Sequence, residues 1–400
     1  MPDGGTGLAE LPIGTLGLIL LVASLVAMLS QRLRLPYSTG LVAAGLGLGF
    51  LPIGAAVPLS RDLIFTVILP PLVFEAALQL EWPSFRRELP VTLLLAFPGV
   101  LLGCAVVGLG VHYALGWSWA GSALFGALIA ATDPVSVIAA FKEMKVEGRL
   151  SMLVESESLL NDGAAAVLFG VIGVVSVGAG SATGIAGTLV FTVAGGVLVG
   201  AAVAGGLLVL AGRTTDHLVE ITLSTLAAYG SFLLAEHVGA SGVLATLTAG
   251  LMVRNLGWRG SISEAGQGHL VAFWEFAAFL ANSVVFILIG GHEAHQPLTL
   301  FPVEALVAIG LVLLARALAV YPLCAALRPT ALRVPLAIQH VLVWGGLRGA
   351  LALALALALP PDLPERREII AVAFAVVAFS VFVQGLTMPA LIRRLGFAAR

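Results

Sequence analysis

The stretches GALIAATDPVSVIAAF at 126–141 and ESESLLNDGAAAVLF at 155–169 decide the reading of this chain. Each lies in an apolar run long enough to cross a bilayer, yet each carries an acid, Asp133 and Asp162, well inside it. An ionisable group near the membrane midplane costs at least ~2.5 kcal/mol, so it faces the protein interior or a water-filled cavity and marks an ion or proton path. The two acids therefore predict an ion-coupled transporter.

Working outward, 59% of the 400 residues are hydrophobic and 10% charged, far from the balance of a soluble globular domain. The 47 glycines suit helices whose backbones must approach closely without a hydrophobic drive between them. A net charge of -2 with no long charged run predicts no nucleic-acid partner. Cys104 and Cys324 fall within apolar spans and read as small buried residues rather than a disulfide. The segment before the first apolar run carries Asp3 and Glu10 and no Lys or Arg, so the first span is expected to be retained rather than cleaved as a signal peptide.

A helix needs about 20 apolar residues to cross a bilayer. Cutting the chain at charged and Pro/Gly-rich breaks gives thirteen segments: 11–30, 37–53, 62–80, 89–115, 118–141, 151–178, 184–211, 217–236, 239–254, 269–291, 303–327, 334–359 and 368–392. With the N-terminus outside, fifteen of the twenty Lys and Arg fall on the cytoplasmic side, and only Arg61, Arg366 and Arg367 on the other. Arg316 and Arg348 lie inside spans 11 and 12. This segregation is what the positive-inside rule demands, and it puts the C-terminus in the cytoplasm.

Span 5 carries Thr132, Asp133 and Pro134 about halfway along. Proline removes an amide donor and disfavours helical geometry at the residue before it, so the helix is expected to break here. Carbonyls freed by such a break are tolerated at membrane depth only where protein or a water-filled cavity meets them, and there they coordinate cations. The plainer alternative is a kink with a hydrogen-bonded Asp. Asp162 lies thirteen residues past Arg149, or about 20 Å of helix, which puts it near the same depth. Ser158 and Asp162 share one face of span 6, and Glu157 and Asn161 a neighbouring one. Glu155 is nearer the cytoplasmic end, where an interfacial position is the plainer reading.

Span 3 adds Glu75, and span 12 adds Arg348 among Gly345, Gly346 and Gly349. A buried Arg needs a carboxylate, and Glu157 is the partner expected for Arg348, as a fixed ion pair bracing the site. Arg316 and Glu275 are assigned no transport role, since packing or snorkelling explains them equally well. Breakers in spans 5 and 12 lie seven spans apart, as two inverted six-span repeats joined by span 7 require.

The segments ATDPVSV, ESESLLNDG and WGGLRGA together resemble the NhaP-type sodium/proton antiporters, of the electroneutral branch of the cation/proton antiporter superfamily. YGSFLLAEHVGASGVLATLTAGL and FWEFAAFLANSVVFILIG resemble that family in order and spacing, so the likeness covers the whole chain. It implies an all-α, thirteen-helix, elevator-type homodimer in the cell membrane. Residues 1–86 and 215–296 would form the interface domain, 87–180 and 297–400 the moving core, and 181–214 the link. The same resemblance implies that Asp162 is the carrier carboxylate and that Asp133, Ser158, Glu75 and the Thr132 carbonyl help bind Na+. Glu157 and Arg348 match the family's bracing pair, with Asn161 and Pro134 as further support, and Asn at 161 is associated with one-for-one exchange. No cofactor is implied, only transported Na+ (or Li+ or K+) and H+. The chain ends soon after span 13, so control through a long cytoplasmic tail is not expected.

Two alternatives stay open at the level of sequence. A K+/H+ or unspecific monovalent cation exchanger shares every motif quoted. Gly239-Ala240-Ser241-Gly242 resembles the GxSG of intramembrane serine proteases, but a histidine would have to reach Ser241, and His237 and His269 lie near span ends.

Overall fold

The computed structural model describes residues 13–33, 36–50, 60–146, 148–176, 182–293 and 301–397. The N-terminal acids Asp3 and Glu10, and Arg34 and Arg400 of the charge pattern, lie outside the described residues. All regular structure among the described residues is helical. The chain runs through α1 (Ile13–Leu33) and α2 (Tyr37–Gly49), then a π-helical turn (Leu63–Ile68) leading into α3 (Leu69–Gln79). Next come α4 (Trp82–Ala96), α5 (Pro98–Leu115), α6 (Trp119–Leu128), α7 (Val135–Met144) and α8 (Arg149–Ser176). α9 (Ala182–Ala211), α10 (His217–His237), α11 (Gly242–Asn255) and α12 (Glu264–Glu293) follow. The last part comprises α13 (Pro302–Ala326), α14 (Leu336–Trp344), α15 (Ala350–Leu357), α16 (Arg366–Phe379), a second π-helical turn (Ser380–Gly385) and α17 (Leu386–Arg394).

Among the described residues, seven helices are long and apolar enough to cross a membrane by length and composition, and shorter apolar helices accompany them. Each of the thirteen stretches expected from sequence holds helix among its described residues. Span 5 is split into α6 and α7, and span 12 into α14 and α15. Span 4 starts at Trp82, earlier than the charges of Arg86 and Arg87 suggest, because Pro83 opens a helix in its first turn. Its two halves meet at Phe97, where Pro98 cannot donate to the preceding turn.

The helices pack as two groups. In the first, α4 lies on α8, α5 on α6 and α13, α13 on α14 and α16, and α15 on α16. Val91, Phe141, Leu153, Val320, Leu342 and Met388 form an apolar cluster inside it. In the second group α2 lies on α12, α3 on α11 and α12, and α9 on α10 and α11. Phe74, Ala204, Ala228, Leu270 and Trp274 fill its interior. Small residues set the closest crossings: a Cβ at Gly45 would strike the Ile287 carbonyl, and one at Gly290 the Val42 carbonyl, so α2 and α12 meet backbone to backbone. The two broken helices belong to the first group and lie against each other.

Candidate ion-binding site

The break in span 5 covers residues 129–134, and Pro134 starts the next helix rather than continuing the last. Asp133 Oδ1 accepts the Val135 amide, the first of α7, at 2.9 Å. The Asp133 amide donates to the Leu347 carbonyl at 2.8 Å, which joins this break to that of span 12. The Ala350 amide at the start of α15 also faces the Asp133 carboxylate. Two half-helix N-termini thus converge on one acid. Their C-terminal counterparts are met by arginines. Arg348 Nη1 donates to the Ala130 and Ala131 carbonyls, at 2.8 and 2.9 Å, just past α6. Arg316 Nε donates to the Leu342 carbonyl, at 3.0 Å, in the last turn of α14. Helix ends at membrane depth need such partners, because lipid offers none.

Gly349 is where the two breaks touch. A Cβ there would land on the Asp133 carboxylate, so only glycine admits this approach. Gly349→Ala is expected to displace Asp133 from the α7 and α15 termini. Overpacking of this kind costs about 1–3 kcal/mol, read as a lowered Tm together with at least tenfold slower cation exchange; a variant matching the parent in both would contradict the contact.

On α8, Ser158 Oγ donates to the Thr132 carbonyl, and the two hydroxyls are 3.2 Å apart. One turn further, Asp162 faces the Thr132 amide and lies within electrostatic range of Asp133, Glu157 and Arg348. Asp162 Oδ1 is buried and takes no hydrogen bond from the described residues. A cavity of about 1220 Å³ reaches Thr132, Asp133 and Asp162 and extends to Lys142, Lys145 and Arg149, the basic end of the molecule. Glu75 lines it from α3, where Gln79 Nε2 donates to its carboxylate at 3.1 Å. Of the expected ligands, Thr132, Asp133, Glu75 and Asp162 border the cavity, while Ser158 stands behind Thr132. Glu155, bonded by Ser151, and Glu275 border it too.

One sequence expectation is corrected. Glu157 is paired with Arg316, not with Arg348: Nη1 and Nη2 reach its two oxygens at 2.7 and 2.9 Å. The fork of a guanidinium matches a carboxylate in this bidentate form, and Arg348 is already committed to the carbonyls of the span 5 break. Asn161 Nδ2 adds a donor to Glu157 at 3.3 Å, so the two share a face of α8 as their spacing implied, and Arg316 meets that face from α13. Spacing alone does not single out Arg316, which sits midway along an apolar run six residues before Pro322. The fold makes room for it at Gly346, where a Cβ would stand 2.6 Å from Arg316 Nε. Ser241 serves the fold as the N-cap of α11, its Oγ accepting the Leu244 amide at 3.3 Å.

The family model described as sodium/hydrogen exchanger, transmembrane, matches residues 18–394. The Na(+)/H(+) antiporter ApNhaP of Aphanothece halophytica is 39% identical over 386 residues, covering 94% of this chain and 72% of its own. The Na(+)/H(+) antiporter NhaS2 of Synechocystis is 36% identical over 380 residues, covering 94% of this chain and 69% of its own. The solved sodium proton antiporter MjNhaP1 of Methanocaldococcus jannaschii superposes with a TM-score of 0.77 at 22% identity, covering 96% of this chain and 98% of that one, a likeness of fold. With a family model spanning nearly its whole length and relatives of this closeness, the chain belongs to the sodium/hydrogen exchanger family.

Proposed function

We propose that this protein exchanges Na+ or Li+ for H+, one for one, by competition of cation and proton for Asp162. The observation that carries this reading is the buried, unpartnered Asp162 Oδ1 at the inner end of a cavity. The Asp162 and Asp133 carboxylates, the Ser158 hydroxyl, the Thr132 carbonyl and Glu75 are oxygen ligands of the kind a hard cation prefers, with water completing the shell. A proton neutralises the same carboxylate. If the site moves only when Asp162 is neutral, the two fluxes are coupled, because an uncompensated charge crossing a dry interface is costly.

The division into two helix groups supports an elevator motion in which the first group carries the site past the second. In this reading the chain crosses the cell membrane thirteen times, the basic end faces the cytoplasm, and two copies associate through the second group. Names of the relatives support Na+ as the cation.

The test uses purified protein in liposomes with an internal pH dye, challenged with Na+, Li+ or K+, with and without valinomycin and a protonophore. The expected result is alkalinisation by Na+ and Li+ that persists under voltage clamp. A response to K+ alone would replace the substrate, and a current under clamp would replace the stoichiometry. Silence toward all three cations from pH 5 to 9 would refute the exchange.

A further inference from the structure

Two stretches of the chain wind as π-helix, Leu63–Ile68 and Ser380–Gly385. A π-helical turn disturbs the regular ladder, leaves a main-chain carbonyl for another donor, and is over-represented at functional sites. In the first, the Val67 carbonyl accepts the Tyr229 hydroxyl at 3.0 Å, a bond wholly inside the second helix group. In the second, the Val381 carbonyl accepts the Thr39 hydroxyl at 3.0 Å. Thr39 belongs to α2 and Val381 to the site-bearing group, so this hydrogen bond crosses the boundary between them. Both residues are buried, at 6% and 1% exposure.

The same turn is tied to the ion site. Ser380 Oγ donates to Gln384 Oε1 at 3.0 Å, and Gln384 Nε2 donates to the Trp344 carbonyl at 3.0 Å, where α14 ends and span 12 breaks. Three residues on, Leu347 holds the Asp133 amide through its carbonyl. Gly385 packs between the two partners, with a Cβ position 3.6 Å from Thr39 Oγ1 and 3.7 Å from the Leu347 side chain. α7 also runs against both α2 and the turn. A short polar path therefore leads from the break beside Asp133 to a single hydroxyl on the other helix group.

We propose that Thr39 is a positioning residue for transport: its hydrogen bond to Val381 holds the site-bearing helices against α2 while the cavity opens toward the basic end, and is released when the site turns to the opposite face. The proposal rests on the alternating-access reading above. A buried carbonyl that loses its donor is left unmet, so the cost of removing the hydroxyl falls on the state that makes the bond. Thr39→Val keeps the branched shape and removes only the donor. The basic-end-open state then loses population, and the apparent affinity of that face falls by the same fraction.

The test places a reporter thiol in the cavity wall with Ala76→Cys on α3, against native Cys104 and Cys324, which are both buried. Modification by a membrane-impermeant maleimide applied to the basic face is measured in parent, Thr39→Val, Thr39→Ala and Thr39→Ser backgrounds. The Val and Ala variants are expected to react about five- to tenfold more slowly and to show a matching rise in KM for Na+ on that face, with Thr39→Ser, which restores the hydroxyl, close to the parent. Thr39→Ala carries the test if the Val variant does not fold. Labelling needs no cation exchange, so slowed labelling in a protein that exchanges no cation would support the latch and refute the exchange. Unchanged labelling and KM in both donor-free variants of an active exchanger would overturn the latch, as would a Ser variant that behaves like Val.

Discussion

Asp162→Asn is expected to abolish cation/proton exchange while leaving a folded protein. The substitution preserves size and shape but removes, among the described residues, the one carboxylate at the inner end of the cavity with a buried oxygen that has no protein partner. An amide neither releases a proton nor offers a full negative charge, so both substrates lose their site at once. A loss of at least about 100-fold, or ~2.7 kcal/mol, is the scale to expect. Folding should be intact or improved, because a buried carboxylate with one oxygen unmet is costly and the amide is neutral. Proton flux in liposomes, beside Tm and elution profile in detergent, separates the two effects. Exchange at the parental rate would eliminate Asp162 as the carrier.

The second large effect is on stability. Arg316→Ala strands Glu157, which is 2% exposed, as an unpaired acid and strips the Leu342 carbonyl of its donor. Breaking one side of a buried pair costs about 3–5 kcal/mol, read as a large drop in Tm. Replacing both partners together, Arg316→Leu with Glu157→Leu, should recover most of it, because no charge is then left alone. Arg348→Ala is expected to cost less, about 1–3 kcal/mol, since it leaves the Ala130 and Ala131 carbonyls unmet but breaks no bidentate ion pair. A Tm for Arg316→Ala equal to the parent's would refute the brace, and a larger loss in Arg348→Ala would reverse the assignment of the two arginines.

That ordering marks where sequence reasoning succeeds and fails. The break at Asp133-Pro134 is legible because proline acts on its own neighbours, and the faces of α8 because helical spacing is local. Which arginine meets Glu157 depends on how α13 and the span 12 break are placed against α8, and both candidates lie midway along apolar runs. The start of span 4 at Trp82 is hidden by Arg86, Arg87 and Glu88, which read as loop. In the structure they stand on the helix, and Glu88 is paired with Arg149 at 3.0 Å. The two π-helical turns have no signature in residue type, so the Thr39 contact emerges only from the fold.

The arginines and half-helix ends around the breaks also bear on how many ions the site can take. Asp133, Glu157 and Asp162 contribute three negative charges, and Arg316 and Arg348 two positive ones. Each helix terminus acts as roughly half a charge, positive at the starts of α7 and α15 and negative at the ends of α6 and α14, so the four cancel. Among these groups at the breaks, what is left over is a single negative charge, and Asp162 is the carboxylate with an oxygen free to express it. In the proposed exchange one monovalent ion at a time, a proton or a metal cation, would balance that charge at the breaks, while Glu75 borders the same cavity from α3 and stands outside this count.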